Sequence, residues 1–228
     1  MKLRISLALA FVSILSLAAV PASAGTSFTP VYAVAAPGGA VALPDPNSSY
    51  VSPADIHAYI RAGGKLTAEM KLKHHLFRNI ISTPGGILRG TVETFDSSLG
   101  TAIIGLPGGP LEGIALNFEV PASAEVHAAP QGEGEVRTFE TTMYSLTGRL
   151  QDPNNVFESF ELVAGDAHGL PSPGVTTLIQ QEDGSFLIDS RFDVSFRVHF
   201  VGSPDGPLAG FEDEVEGQVT VVATSVQK

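Results

Sequence analysis

The 228-residue chain has no cysteine and no tryptophan, only four tyrosines, and 13 Lys and Arg against 24 Asp and Glu. Without cysteine there is no disulfide, no thiolate metal ligand and no cysteine nucleophile, so the fold has to stand on a buried core. Without tryptophan, and with Tyr32 and Tyr50 near the N-terminus, little aromatic surface is left on which a sugar ring would stack. A net charge of −11 disfavours nucleic acid and anionic membranes, whose phosphates call for clustered Lys and Arg, while it suits solubility and calcium. Signatures of hydrolases and nucleotide enzymes are missing as well: no G-x-S-x-G, no P-loop, no G-x-G-x-x-G after a strand, and no H-E-x-x-H.

What is there begins with an export signal. Met1-Lys2-Leu3-Arg4 is a positive start, Ile5 to Val20 is almost wholly apolar, and Ala22-Ser23-Ala24 is a small-residue cleavage site. The apolar run ends at Pro21 after 16 residues, short of the roughly 20 that a spanning helix needs. Cleavage after residue 24 would leave 11 basic and 24 acidic residues, a net charge of −13, in a secreted or periplasmic chain with no membrane span. Residues 25 to 50 are rich in Ala, Pro, Gly and Ser and read as an extended leader, and residues 51 to 228 read as a single β-rich domain.

That domain opens on one helix signal. Ser52 is placed as N-cap, Pro53 stands at the first helical position, Asp55 lies in the first turn, Ile56 and Ile60 are four apart, and Gly63-Gly64 is the stop. After Lys65 the apolar period becomes two. From Phe192 to Phe200 every second residue is Phe or Val, which predicts a half-buried strand, and Glu182-Asp183-Gly184-Ser185 before it predicts a hairpin with a type I′ turn. Further strands are expected near 68–78, 91–99, 114–120, 136–147, 156–163, 175–181 and 214–224, separated by clusters of Pro, Gly, Asp and Asn. About eight such strands with one short N-terminal helix predict an all-β fold, an antiparallel β-sandwich or barrel. Thr94-Phe95-Asp96-Ser97-Ser98 is echoed 44 positions on by Thr138-Phe139-Glu140-Thr141-Thr142, and a third fragment is Phe192-Asp193-Val194-Ser195. In strand phase each copy buries its Phe and exposes its acid, which predicts equivalent strands of related half-units.

The succession Arg78-Asn79-Ile80, Glu93-Thr94-Phe95-Asp96-Ser97, Thr138-Phe139-Glu140-Thr141-Thr142-Met143 and Asp183-Gly184-Ser185-Phe186-Leu187-Ile188-Asp189-Ser190 running into Phe192-Asp193-Val194 resembles an uncharacterised family of exported, β-rich bacterial proteins. The likeness covers residues 74 to 195 and departs from the pattern at Arg191 and after Val194. It implies a secreted β-rich domain and carries over no catalytic residue.

Candidate chemistry is sparse. His74 and His75, as strand neighbours, face opposite sides, so the pair reads as one hydrogen-bonded core imidazole and one surface imidazole rather than a chelate. Asp96, Glu140 and Asp193 would form a carboxylate cluster only if their strands converged. Asp205, Glu212 and Asp213, in and near the acidic run Glu212 to Glu216, are weak candidates for calcium, which takes several oxygen ligands from loops. The composition therefore points to a secreted, non-enzymatic structural or interaction module with a protein or glycan partner and no assigned catalytic or cofactor-binding residue. A glycan-binding or glycan-active protein and a calcium-stabilised adhesive domain are the alternatives.

Overall fold

The structure, a computed structural model, describes residues 30–34, 41–52, 58–62, 64–151 and 156–225. It is an antiparallel all-β fold of eleven strands: β1 (Val31–Val34), β2 (Ser48–Val51), β3 (Ala58–Ala62), β4 (Lys65–Gly85), β5 (Gly90–Gly105), β6 (Ala115–Ala128), β7 (Val136–Gln151), β8 (Phe157–Ala164), β9 (Pro173–Gln180), β10 (Ser185–Gly202) and β11 (Glu212–Ser225). Pairing runs β10-β11-β2-β4-β5-β6-β7-β8 and returns from β8 to β10, so the sheet closes on itself as a barrel. Strand periodicity is the same in a sandwich and a barrel; the β8–β10 register, Phe196 opposite Ala164 through Gly202 opposite Phe157, is what decides between them.

One ring position is shared. Between β7 and β10, β8 pairs with one half of each long strand and β9 with the other half. The inward face is mostly apolar: on β10 every even residue from Phe186 to Gly202 is buried, Ser190 being the polar one, while Arg191, Asp193, Ser195, Arg197 and His199 alternate outward. At roughly 25 cal/mol per Å² of apolar surface, the buried Phe residues from β8 and β10 alone hold several kcal/mol of the core.

Three sequence expectations are corrected. Residues 58 to 62, read as the second half of a helix, form β3, because Tyr59 and Ile60 suit a strand and the free side of β4 offers backbone partners. Gly64, read as a helix stop, turns the chain between β3 and β4 at φ 78°; residues 53 to 57 lie outside the described residues. Within the segment read as a leader, β1 pairs with β10 and β2 pairs with β11 and β4, burying Val31, Val41 and Tyr50. The β9–β10 turn is closed by the Gly184 N–H on the Gln181 carbonyl at 3.0 Å, and Gly184 has a positive φ of 82° while Asp183 does not, so the turn is not of type I′.

The internal repeat also has a different period from the one the Thr-Phe echo suggests. β5 and β7, which carry the two echoes, flank β6 rather than matching each other as halves. The structural match lies 97 residues apart: Phe95 and Asp96 correspond to Phe192 and Asp193, and Asp96 opposite Ser123 corresponds to Asp193 opposite Thr220. The connections agree too. Gly105-Leu106-Pro107-Gly108-Gly109-Pro110-Leu111-Glu112-Gly113-Ile114 and Gly202-Ser203-Pro204-Asp205-Gly206-Pro207-Leu208-Ala209-Gly210-Phe211 share Gly, Pro, Gly, Pro, Leu and Gly at the same places. In both, the glycine N–H bonds to the residue closing the corner (Ile114 at 2.9 Å, Phe211 at 2.8 Å), and the central leucine is fully buried. The β5–β6 and β10–β11 hairpins are therefore two copies of one unit set into one ring.

Candidate functional site

The wall of the barrel is irregular at one place. In β4 the inward phase runs Ala68, Met70, His74 and then shifts, because two register breaks insert one extra residue each between His75 and Arg78 and between Arg78 and Ile81. Leu76 and Asn79 sit in these bulges at φ 57° and 53°, a left-handed conformation rare for leucine. The shifts keep Phe77 in the core, turn Leu76 out to solvent, and bring the Asn79 amide onto the Asp96 carboxylate at 2.7 Å.

Inside, most polar groups are paired, and the Thr141 hydroxyl is an exception. His74 Nε2 meets Ser97 Oγ at 2.7 Å, and burial, helped by neighbouring His75, pushes its pKa down to about 3. Tyr50 donates to Ser190 Oγ at 3.2 Å, Ser190 meets Thr176 Oγ1 at 2.8 Å, and burial raises the Tyr50 hydroxyl to about 12. Rings close around them: Tyr50 meets Phe192 edge-on at 5.6 Å, and Phe77 meets His74 at 4.9 Å and Phe95 at 5.4 Å.

Glu93 was missed in the sequence, although its phase was a signal: it stands two residues before Phe95, on the face that alternation sends inward. It is 4 % exposed, accepts a hydrogen bond from Ser82 at 3.2 Å, and is held above the ordinary carboxylate range chiefly by burial. Its counterpart in the second copy, 97 residues on, is Ser190. Glu93, Phe95, Ser190 and Phe192 all line one interior cavity of about 30 Å³, which Leu43 and Pro44 also line. A second cavity of about 40 Å³ lies among Leu99, Leu146, Leu162 and Phe196, and Tyr50, His74, Met143 and Val221 line both.

On the outer wall, β5 presents small side chains: Thr94, Asp96, Gly100 and Ala102. Longer residues of β4 and β6 rise beside them, leaving furrows of about 480 Å³ over Gly100 and about 400 Å³ over Asp96. Across the first, His75 Nε2 reaches Glu119 at 3.0 Å, and Glu119 also accepts a hydrogen bond from Ser98. A Cβ at position 100 would stand 3.2 Å from His75 Nε2 and 3.3 Å from Glu119, so the pair closes tightly over the glycine. In the second copy Arg197 stands at the place of Gly100 and Glu216 at that of Glu119, and these two are joined directly at 2.7 Å.

The sequence-derived candidates fall apart from one another. Asp96 bonds to Asn79, Asp193 to Thr220 at 2.5 Å, and Glu140 is exposed on β7; the Thr220 hydroxyl, followed by Arg191, holds Asp193 below the usual carboxylate range. Asp205 is exposed in the β10–β11 corner, Glu212 bonds to His199 at 3.1 Å, and Asp213 accepts the Glu214 N–H at 2.8 Å. Among the described residues no three of His, Asp and Glu gather where a metal ion would be held. His168 meets the hydroxyls of Ser145 (3.2 Å) and Thr147 (3.4 Å), whereas Asp166 bonds to Thr142 instead of orienting that imidazole. His127 stacks on Tyr144 at 4.5 Å and bonds to Glu125 at 2.7 Å; His57 lies outside the described residues. Among those residues no helix is long and apolar enough to cross a membrane. Comparison of the chain with protein-family models, with curated proteins and with solved structures finds no match.

Proposed function

We propose that this is an exported, non-enzymatic β-barrel domain that works outside the cytoplasm, secreted or periplasmic, as a structural or interaction module. The observation that carries the reading is how two of the buried ionisable groups, His74 and Tyr50, are tuned, while Glu93 is raised by burial and bonded to Ser82. A general acid or base works best with a pKa near the working pH. His74 is pushed down to about 3 and Tyr50 up to about 12, each tied to a hydroxyl, which keeps both uncharged near neutrality and suits a core rather than a catalyst. The outward charges of β10 and β11, with Phe and Val within, are the reverse of strands that face lipid. Two measurements test the reading. Intact mass of material recovered from the periplasm or medium should place the N-terminus near Gly25; a full-length chain confined to the cytosol would remove the export part. Ester, glycan and peptide substrates should be returned unchanged by the purified protein, and turnover that His74→Gln abolishes would overturn the rest.

A second reading, a glycan-binding protein, is favoured by the outer furrows, whose floor is small and hydroxylic and whose rims carry Asn79, Asp96, Asn117 and Glu119. These groups suit a hydroxyl-rich chain. Glycan-array binding lost in Asn79→Ala would support it, and an array without signal would remove it.

A further inference from the structure

We propose that the two interior cavities form one binding site for a small, largely apolar molecule with a single hydroxyl or carbonyl end, seated with that end at Thr141 and Glu93 and its tail toward Leu99 and Leu146. The inference rests on the reading above that the barrel binds rather than converts. Two observations carry it independently of each other. The first is geometric: the cavities of about 30 and 40 Å³ share Tyr50, His74, Met143 and Val221, and by a measure in which about 10–15 Å³ holds one water they have room together for roughly five to seven heavy atoms. The second is an unmet hydrogen bond. Thr141 is 4 % exposed, lines the same cavity as Glu93, and its Oγ1 has no hydrogen-bond partner. A buried hydroxyl without a partner is costly, so groups of this kind mark places where a ligand or water completes the bonding.

The lining sets the class of ligand. Apart from Glu93, Thr141, the mutually bonded Thr176, Ser190 and Tyr50, and His74 bonded to Ser97, the surface is aliphatic and aromatic, and no Lys or Arg among the described residues lines either cavity to meet a carboxylate or phosphate. Glu93, raised by burial, is readier than an ordinary carboxyl to be protonated and so to give or take a hydrogen bond from a neutral head group. Leu43 and Pro44 cover the polar end, where Gln131 grips Val41 through both backbone groups, Nε2 to the carbonyl at 2.8 Å and Oε1 from the N–H at 2.9 Å.

Methionine provides the probe. The chain has three, Met1, Met70 and Met143, of which Met143 lines both cavities and Met70, equally buried, lines neither. In the purified protein with methyl-labelled methionine, 1-pentanol should shift the Met143 methyl resonance saturably, with a Kd on the order of millimolar, and leave Met70 in place. Thr141→Val keeps the shape of the side chain and removes the hydroxyl; it should weaken pentanol about tenfold while leaving xenon uptake at Met143 unchanged. Val221→Ile should fill the junction and abolish both. An unmoved Met143, a linear drift shared by Met70 and Met143, or equal pentanol affinity in Thr141→Val would each overturn the site while leaving the module reading intact. Recovery of a chemically altered alcohol would instead overturn the non-enzymatic reading and keep the cavity.

Discussion

A single imidazole decides much of how this barrel should respond to acid. Folded His74 stays neutral down to about pH 3, whereas the unfolded imidazole takes up its proton near 6.5. Between those values the unfolded chain binds more protons, so stability should rise with pH through that window and level off above it, with a slope of at most about 1.4 kcal/mol per pH unit. Chemical denaturation from pH 3.5 to 8 should show this rise, and His74→Gln should flatten it; an equally steep profile in the variant would assign the effect elsewhere. Glu93 works in the opposite sense: its raised folded pKa means that stability falls as pH climbs from the ordinary Glu value through the folded one. Glu93→Gln should therefore raise the melting midpoint by a few degrees at pH 7 and by nothing at pH 4, read by calorimetry at the two pH values. The core place of His74 was legible from alternation with Met70 and Leu72. Leu76 broke the same rule, since a bulge that leaves no mark in composition turned it outward.

Strands of 14 to 21 residues, as in β4, β6 and β11, need firm corners to hold their register. Gly105 and Gly202 provide them: a Cβ at either would collide with the backbone carbonyl of Leu111 or Leu208, the buried leucine of its own corner. Gly105→Ala and Gly202→Ala should each cost about 3 kcal/mol or more, measured by urea unfolding, and the two losses should be alike because the corners are copies. A loss confined to one would argue against the equivalence. Both ten-residue corners stood in the sequence as turn clusters, and their six shared residues were there to compare. The shorter Thr-Phe echo drew attention to β5 and β7, which alternation alone makes look alike, since any amphipathic strand with a Phe and an acid in these phases reads the same way.

For the whole molecule, acidity without convergence makes a definite forecast. Asp205, Glu212 and Asp213 each face a different neighbour or solvent, so excess calcium followed by chelator should move the melting midpoint by less than about 1 °C. A micromolar site would shift it by several degrees through RT ln(1 + [L]/Kd), and such a shift would restore the calcium-stabilised reading. Closure has a consequence for association as well. The ring from β10 round to β8 pairs its strands on both sides, while β1 and β3 each pair on one side only among the described strands.

Alternation and composition along the chain were enough for the all-β class, the approximate places of β4 to β11 and the inward face of β5, β7 and β10, because those depend on local periodicity. Closure into a barrel, the joining of residues 58 to 62 as a strand, and the meeting of Glu93 and Thr141 at one cavity came only with the folded chain. Closure and convergence are set by which strands pair across a hundred residues. Such pairing is fixed by the summed fit of side chains inside the ring, which no local stretch of sequence carries.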